Sequence, residues 1–300
     1  MTPEWAGPLC AFLSSCTWSI GSARYADLSL RHSAFAVNFT RALVALPLFI
    51  IAIFVVGGGI EGGLANIQEL GLRHLGWFGL SMIACYGLGD ALFLWSAKSL
   101  GVPGALAIAS TYPLFTGLAD WLILGHPVSA AHFGGLLMMV GGVVVVILSV
   151  PRSVDRLRSN ARTKGVLLAF ATSVLWAVNT YAVSRGGRDI SAPVGSSVRM
   201  ILALFISPLL GMVLAKGMPA TIPFRVVRRW GWLFALEAFG GSYLFIYGLA
   251  HSSFALGSVL TSLSPVISVP IAWAMGIEKF SWARTLGVVG VVGGLMLLLS

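Results

Sequence analysis

Pro151–Lys164, PRSVDRLRSNARTK, is the longest continuous polar run in the 300-residue chain, and it falls at the middle of an otherwise apolar sequence. The residues after it repeat those before it. Gly7, Leu9, Ala11, Phe12, Ser15, Trp18 and Arg41 recur 158 positions later as Gly165, Leu167, Ala169, Phe170, Ser173, Trp176 and Arg199. Further on the offset becomes 152: Gly89, Leu92, Phe93, Ser110, Pro113, Trp121, Ser129, Gly135, Gly141 and Gly142 return as Gly241, Leu244, Phe245, Ser262, Pro265, Trp273, Ser281, Gly287, Gly293 and Gly294. Leu, Ala and Gly are common in any apolar chain, so the Trp, Arg and Pro matches carry most of the weight. Two constant offsets, with one six-residue length difference between Phe54 and Gly79, read as an internal duplication. The expected division is a first unit over residues 1–150, a basic connection over residues 151–164 and a second unit over residues 165–300.

Hydrophobic residues make up 57% of the chain and charged residues 10%. With a mean hydropathy of +0.92 this lies far outside the range of soluble domains. The charges lie mostly between apolar runs of about 20 residues, the length that spans a bilayer's hydrocarbon core. These runs do not alternate as the strands of a transmembrane barrel would. Ten spans are expected, at residues 5–26, 34–56, 74–97, 103–124, 130–150, 165–184, 193–215, 230–250, 255–276 and 282–299. An odd number of spans per unit makes the second copy enter the bilayer from the opposite face. The predicted fold is therefore an all-α integral membrane protein, with ten transmembrane helices as two inverted five-helix repeats around a central cavity. That architecture is characteristic of secondary transporters.

The net charge of +9 comes from basic residues in short connections, where its reading is topological and not a sign of nucleic-acid binding. One side of the expected bilayer holds Arg24, Arg31, Lys98, the linker cations, Lys216, Arg225, Arg228, Arg229, Lys279 and Arg284. The other holds Arg73, Arg185 and Arg188. The first side is expected to be cytoplasmic, which puts the linker inside and both termini outside. No cleavable signal peptide is evident before the first apolar run. Cys10, Cys16 and Cys85 fall in apolar spans without ligand or redox spacing and read as small buried hydrophobes. His32, His74, His126, His132 and His251 offer no pair at metal-ligand spacing, so no metal and no cofactor are expected.

An ionisable residue inside a span costs a few kcal/mol to keep there and needs a reason. Arg41 and Arg199 occupy matching repeat positions in spans two and seven, and because both copies keep the cation a structural role is expected for each. Asp90 and Glu237 are the carboxylates nearest mid-span, in spans three and eight, and they are not repeat equivalents: Asp90 corresponds to Ser242, and Glu237 to Cys85. Facing a wet cavity, either could hold a substrate ammonium group or carry a coupled proton. Paired with Arg41 or Arg199, either would be structural. Tyr86 lies one helical turn before Asp90 on the same face. Asp120 is nearer a span end, where an interfacial role is expected.

Pro113 and Pro265 fall at the centres of spans four and nine, where proline frees a carbonyl and bends the helix. Ser110, Thr111 and Tyr112 surround one kink, and Ser262 and Ser264 the other. A mirrored pair of kinks at mid-depth points to the central site. Trp18 and Trp176, with Asn179 one turn beyond the latter, are candidate cavity walls. Gly134, Gly135, Gly141 and Gly142 in span five, and Gly287, Gly290, Gly293 and Gly294 in span ten, suit close helix packing.

These features resemble the EamA-type members of the drug/metabolite transporter superfamily. The likeness runs over nearly the whole chain. In the first copy it rests on Trp18, Asn38–Leu46 (NFTRALVAL), Ser110–Gly125 (STYPLFTGLADWLILG) and Gly134–Gly142, and in the second on Trp176, Ser197–Leu204 (SVRMILAL), Ser262–Gly276 (SLSPVISVPIAWAMG) and Glu278. The family commonly has Gly-Glu after the fourth helix of each unit. Here the first copy has Gly125-His126 and the second Gly276-Ile277-Glu278. The resemblance implies an inner-membrane exporter of small metabolites, often amino acids, working by alternating access, and within the family the chain looks most like the amino-acid exporters. Tyr86, Tyr112 and Trp176, with Asn179, beside Asp90 or Glu237 would suit a zwitterion with an aromatic or other apolar side chain. The expected partners are that substrate, the lipid bilayer and protons as candidate coupling ions, with the chain a monomer. A nucleotide-sugar or sugar-phosphate carrier that recruits Arg41 and Arg199, or a drug transporter, is the alternative within the superfamily. A membrane enzyme is the alternative from another class, and no Ser-His-Asp spacing, metal cluster or phosphate loop supports it.

Overall fold

The computed structural model describes residues 4–117, 130–149, 156–216, 221–274 and 281–297, and these are helical with short connections. In the first half run α1 (Ala6–Leu28), α2 (Ala34–Val56), α3 (Ile60–Gln68), α4 (Leu72–Leu100), α5 (Val102–Ala109), the helical residues 112–117, and α6 (Ala130–Ser149). In the second run α7 (Arg156–Gly186), α8 (Ala192–Leu214), α9 (Phe224–Ala250), α10 (Phe254–Thr261), α11 (Ser264–Ala274) and α12 (Trp282–Leu297). The described residues of the expected spans are mainly helical, with breaks at Ser110–Thr111 and Ser262–Leu263. The stretches α2, α4, residues 160–186 of α7, α8, α9 and Phe254–Ile271 are long and apolar enough to cross a membrane, while part of α6 and α12 are shorter apolar helices. Asp120, His126 and Glu278 lie outside the described residues.

The outside of the molecule is oily, and polar side chains are buried inside it beside an apolar core. Val55, Phe205, Met212 and Trp273 are exposed, while Ser14, Asn38, Arg41, Asp90, Thr180, Arg199 and Glu237 are buried. In water such a surface would drive aggregation. In lipid it is the expected arrangement, because apolar side chains solvate in the tails and polar ones must find each other.

The connections follow local chemistry. Ser33 caps α2 by accepting from the Ala36 amide. Gly101, at φ 73°, makes the whole turn between α4 and α5, a conformation that only glycine adopts without strain. Gly58 and Gly59, also at positive φ, reverse the chain from α2 into α3, and this extra helix lies where the two repeats differ in length. The polar connection 151–164 is helical from Arg156 onward, so α7 begins nine residues earlier than the expected span and reaches 31 residues.

Helices pack in a pattern that maps onto itself when the halves are exchanged. α1 lies against α9, α10 and α11, as α7 lies against α4 and α5. α2 packs on α8 and α9, as α8 packs on α2 and α4, and α6 pairs with α12. The α6–α12 seam is backbone on backbone. A Cβ at Gly142 would sit 2.5 Å from the Gly287 carbonyl oxygen, and one at Gly294 would sit 2.5 Å from that of Gly135. These two contacts are repeat images of each other. The glycines foreseen for packing divide, however: Gly134 and Gly141 face open space.

Adjacent glycines should therefore respond with opposite sign. Gly142→Ala must push α12 away and is expected to lower stability by about 1–3 kcal/mol, the usual cost of overpacking. Gly141→Ala meets nothing and gains up to about 1 kcal/mol of helix propensity. Thermal unfolding of both variants in detergent checks the contrast.

Candidate functional site

Two irregular turns aim the central side chains. α4 is π-helical over Ile83–Gly89 and α9 over Ala235–Gly241, positions separated by the repeat offset of 152. A π turn inserts an extra residue into a helical ladder and swings the following side chains round the axis. Here it carries Cys85, Tyr86 and, just beyond, Asp90 inward from α4, and Glu237 inward from α9. The Tyr86 carbonyl inside the first turn accepts from the Asn38 side-chain amide at 2.8 Å, so the irregular backbone stays satisfied.

Arg41, 3% exposed, reaches from α2 into this space and joins both carboxylates. Its Nε and Nη2 donate to the two oxygens of Glu237 at 3.0 and 2.8 Å, a bidentate fork. Its Nη1 donates to Asp90 Oδ2 and, at 3.0 Å, to Asn38 Oδ1. Tyr25 donates to Glu237 at 2.7 Å, and the Trp176 indole donates to Asp90 Oδ1 at 3.1 Å. The guanidinium carbon lies 4.3 Å from the Tyr86 ring centroid and about 5 Å from those of Tyr25 and Trp18. One formal cation meets two formal anions, and helices of both halves meet on it.

Arg199, the repeat partner of Arg41, is 2% exposed and differently placed. Its Nε donates to Ser81 Oγ at 3.1 Å and its Nη2 to Asn179 Oδ1 at 3.3 Å. Among the described residues no carboxylate lies within ion-pair distance of it.

Between the two arginines lies a cavity of about 100 Å3, walled by residues of both halves including Trp18, Tyr86, Tyr112, Trp176, Thr261 and Phe245. Trp18 and Trp176 meet edge to face at 5.7 Å, and Tyr112 approaches Trp176 in the same way. The helix breaks border this cavity. They fall at Ser110–Thr111 and at Ser262–Leu263, bridged by short-range bonds from the Leu114 amide to Thr111 and from the Val266 amide to Leu263. Pro113 and Pro265 thus sit in the opening turn of the helix after each break and not inside a bent continuous helix. That is where proline's missing N–H costs least.

All six candidate contact residues, Tyr86, Asp90, Tyr112, Trp176, Asn179 and Glu237, line one cavity together with Arg41 and Arg199. Of the two readings open for the carboxylates, pairing with Arg41 describes both. The cysteines are half-buried rather than buried, and the Cys85 thiol lies 3.6 Å from Asp90. Sequence reasoning passed over Tyr25, Asn38 and Ser81. Asn38 carried a usable signal, standing three residues before Arg41 on one helix face. Tyr25, near a span end, and Ser81 carried none.

The description "EamA-like transporter family" fits two stretches of the chain, residues 5–148 and 163–300. The aromatic amino acid exporter YddG of Ancylobacter novellus is 26% identical over 291 residues, covering 88% of this chain and 96% of its own. A solved crystal structure at 20% identity superposes with a TM-score of 0.69 over 98% of this chain and 96% of its own, which shows a shared fold. The family's two matched stretches take in nearly all of the sequence, and the chain belongs to the EamA-like transporter family.

Proposed function

We propose that this multi-pass membrane transporter is a secondary exporter of amino acids with aromatic or other apolar side chains. It works by alternating access between two inverted five-helix units, ten spans in all. The observation that carries this reading is the central cavity itself. Its walls come from both halves, and its irregular backbone, the paired π turns and the paired helix breaks, recurs at repeat-equivalent positions. A site shared by two copies of one unit can be opened to either face by exchanging their conformations. The aromatic rim of Trp18, Tyr86, Tyr112 and Trp176 beside an acid-rich cluster suits an apolar zwitterion, and the exporter named above supports the same class.

The cavity of about 100 Å3 is small beside the roughly 300–1,000 Å3 of ligand pockets. Substrate entry therefore requires helices to part, as alternating access demands. A phosphorylated substrate is less well served. Arg41 is held by two carboxylates, which leaves Arg199 alone to meet a phosphate dianion. Arg24, Arg31, Arg225 and Arg229 line one surface pocket with His32 and Trp230. This gathering of basic residues at one end supports that end as the cytoplasmic one of an inner membrane, with both termini opposite and the connection 151–164 on the basic side. Protons are the proposed coupling ion, and the chain is taken to act as a monomer.

Purified protein in liposomes should exchange labelled phenylalanine or tryptophan across the membrane. Exchange of nucleotide sugars with no amino-acid exchange would overturn the assignment. Arg41→Lys keeps the charge and gives up the fork to Glu237, and is expected to slow amino-acid exchange at least about tenfold, the equivalent of 1.4 kcal/mol. In a cysteine-free background, an impermeant thiol reagent applied to whole cells should label Glu61→Cys and spare Lys164→Cys. The reverse pattern would invert the topology.

A further inference from the structure

Exchange of the halves converts the surroundings of Arg41 into those of Arg199, and the two do not match. The acids that hold Arg41, Glu237 and Asp90, correspond through the 152 offset to Cys85 and Ser242. The second arginine thus has a thiol and a hydroxyl where the first has two carboxylates. It is 2% exposed, and its bonds run to the neutral oxygens of Ser81 and Asn179 through Nε and Nη2. No bond to its Nη1 occurs among the described residues. A guanidinium in such a place keeps its charge, and a buried charge held only by neutral dipoles favours any anion that can reach it.

A second observation points the same way. The buried Tyr86 hydroxyl and the Trp18 indole N–H have no hydrogen-bond partner. Both line the cavity that Arg199 lines. The counterpart of Trp18, Trp176, donates to Asp90, while the counterpart of Asp90 is Ser242. Cation, indole N–H and phenol can each donate, the two rings lying against Arg41 and lining the same cavity, so acceptor oxygens that enter it meet unused donors. A carboxylate supplies two of them, together with the missing charge, in the planar geometry that a guanidinium grips.

We infer that Arg199 is the carboxylate receptor of the central cavity, a substrate-binding residue and not the structural twin of Arg41. Arg41 is caged and holds the halves together. Arg199 has no carboxylate partner among the described residues and takes the acid end of the substrate, with its apolar part against the aromatic wall. The inference rests on the amino-acid reading of the same cavity and adds to it a requirement for a free carboxylate.

The test compares four ligands with one aromatic group in liposomes: phenylalanine, its methyl ester, phenethylamine and 3-phenylpropionate. Wild-type protein should exchange phenylalanine at least about tenfold better than the ester, since a site built to bind a charged group rejects analogues lacking it. Arg199→Gln should erase that preference by slowing phenylalanine while leaving the ester and the amine at their wild-type rates. Arg199→Lys should restore part of it. Equal loss of acid and ester in Arg199→Gln would mean a structural role and would overturn the inference. So would a wild-type protein that moves acid and ester alike, a result that needs no variant to fold. The two readings fail differently. Exchange of 3-phenylpropionate through Arg199 without amino-acid exchange would sink the amino-acid assignment and keep the carboxylate site. Amino-acid exchange indifferent to Arg199 would do the reverse.

Discussion

A single guanidinium, that of Arg41, holds the centre of the molecule together. Arg41 comes from α2 and Asp90 from α4 in the first half, while Glu237 comes from α9 in the second, with Tyr25 of α1 and Trp176 of α7 completing the shell. Removing Arg41 would leave both carboxylates buried without a cation, an error that costs about 3–5 kcal/mol in protein interiors. Such a cluster contributes little net stability over a well-packed apolar core, so stability alone does not account for its presence. What it does provide is a fixed arrangement of five helices around a cavity that must stay polar inside a bilayer.

Around that cluster the backbone repeats itself more faithfully than the side chains do. The π turns of α4 and α9, the breaks beside Pro113 and Pro265, and the pairing of α6 with α12 each occur as images of one another. The charged residues break the symmetry. Both acids serve one arginine. Shared geometry carries the fold, and unshared chemistry gives the cavity two unlike ends.

Much of this was legible in the sequence because it depends on hydropathy and spacing. The positions of the described helices follow from apolar run length, and the helix breaks follow from proline beside serine, although the prolines begin the next helix instead of bending one. The cavity-lining set was legible because polar residues in lipid have nowhere else to go. Three things were hidden. The π turns leave no periodic signature, since one extra residue in a seven-residue stretch is lost among apolar positions. The choice of Arg41 over Arg199 as partner of both acids is a matter of tertiary distance, which spacing along the chain does not encode. The start of α7 at Arg156 was obscured because a charged helix projecting past the apolar run reads as a linker.

The glycine seam between α6 and α12 has a mechanical consequence. Where Gly142 meets Gly287 and Gly135 meets Gly294, main chain touches main chain, and no side chain stands between them to absorb a shift by changing rotamer. Such a joint can neither slide nor spread without losing contact along its length. Any relative movement of the two halves would hinge on that rod pair as a pivot, and the yielding would fall to the side-chain-packed flanks around the cavity.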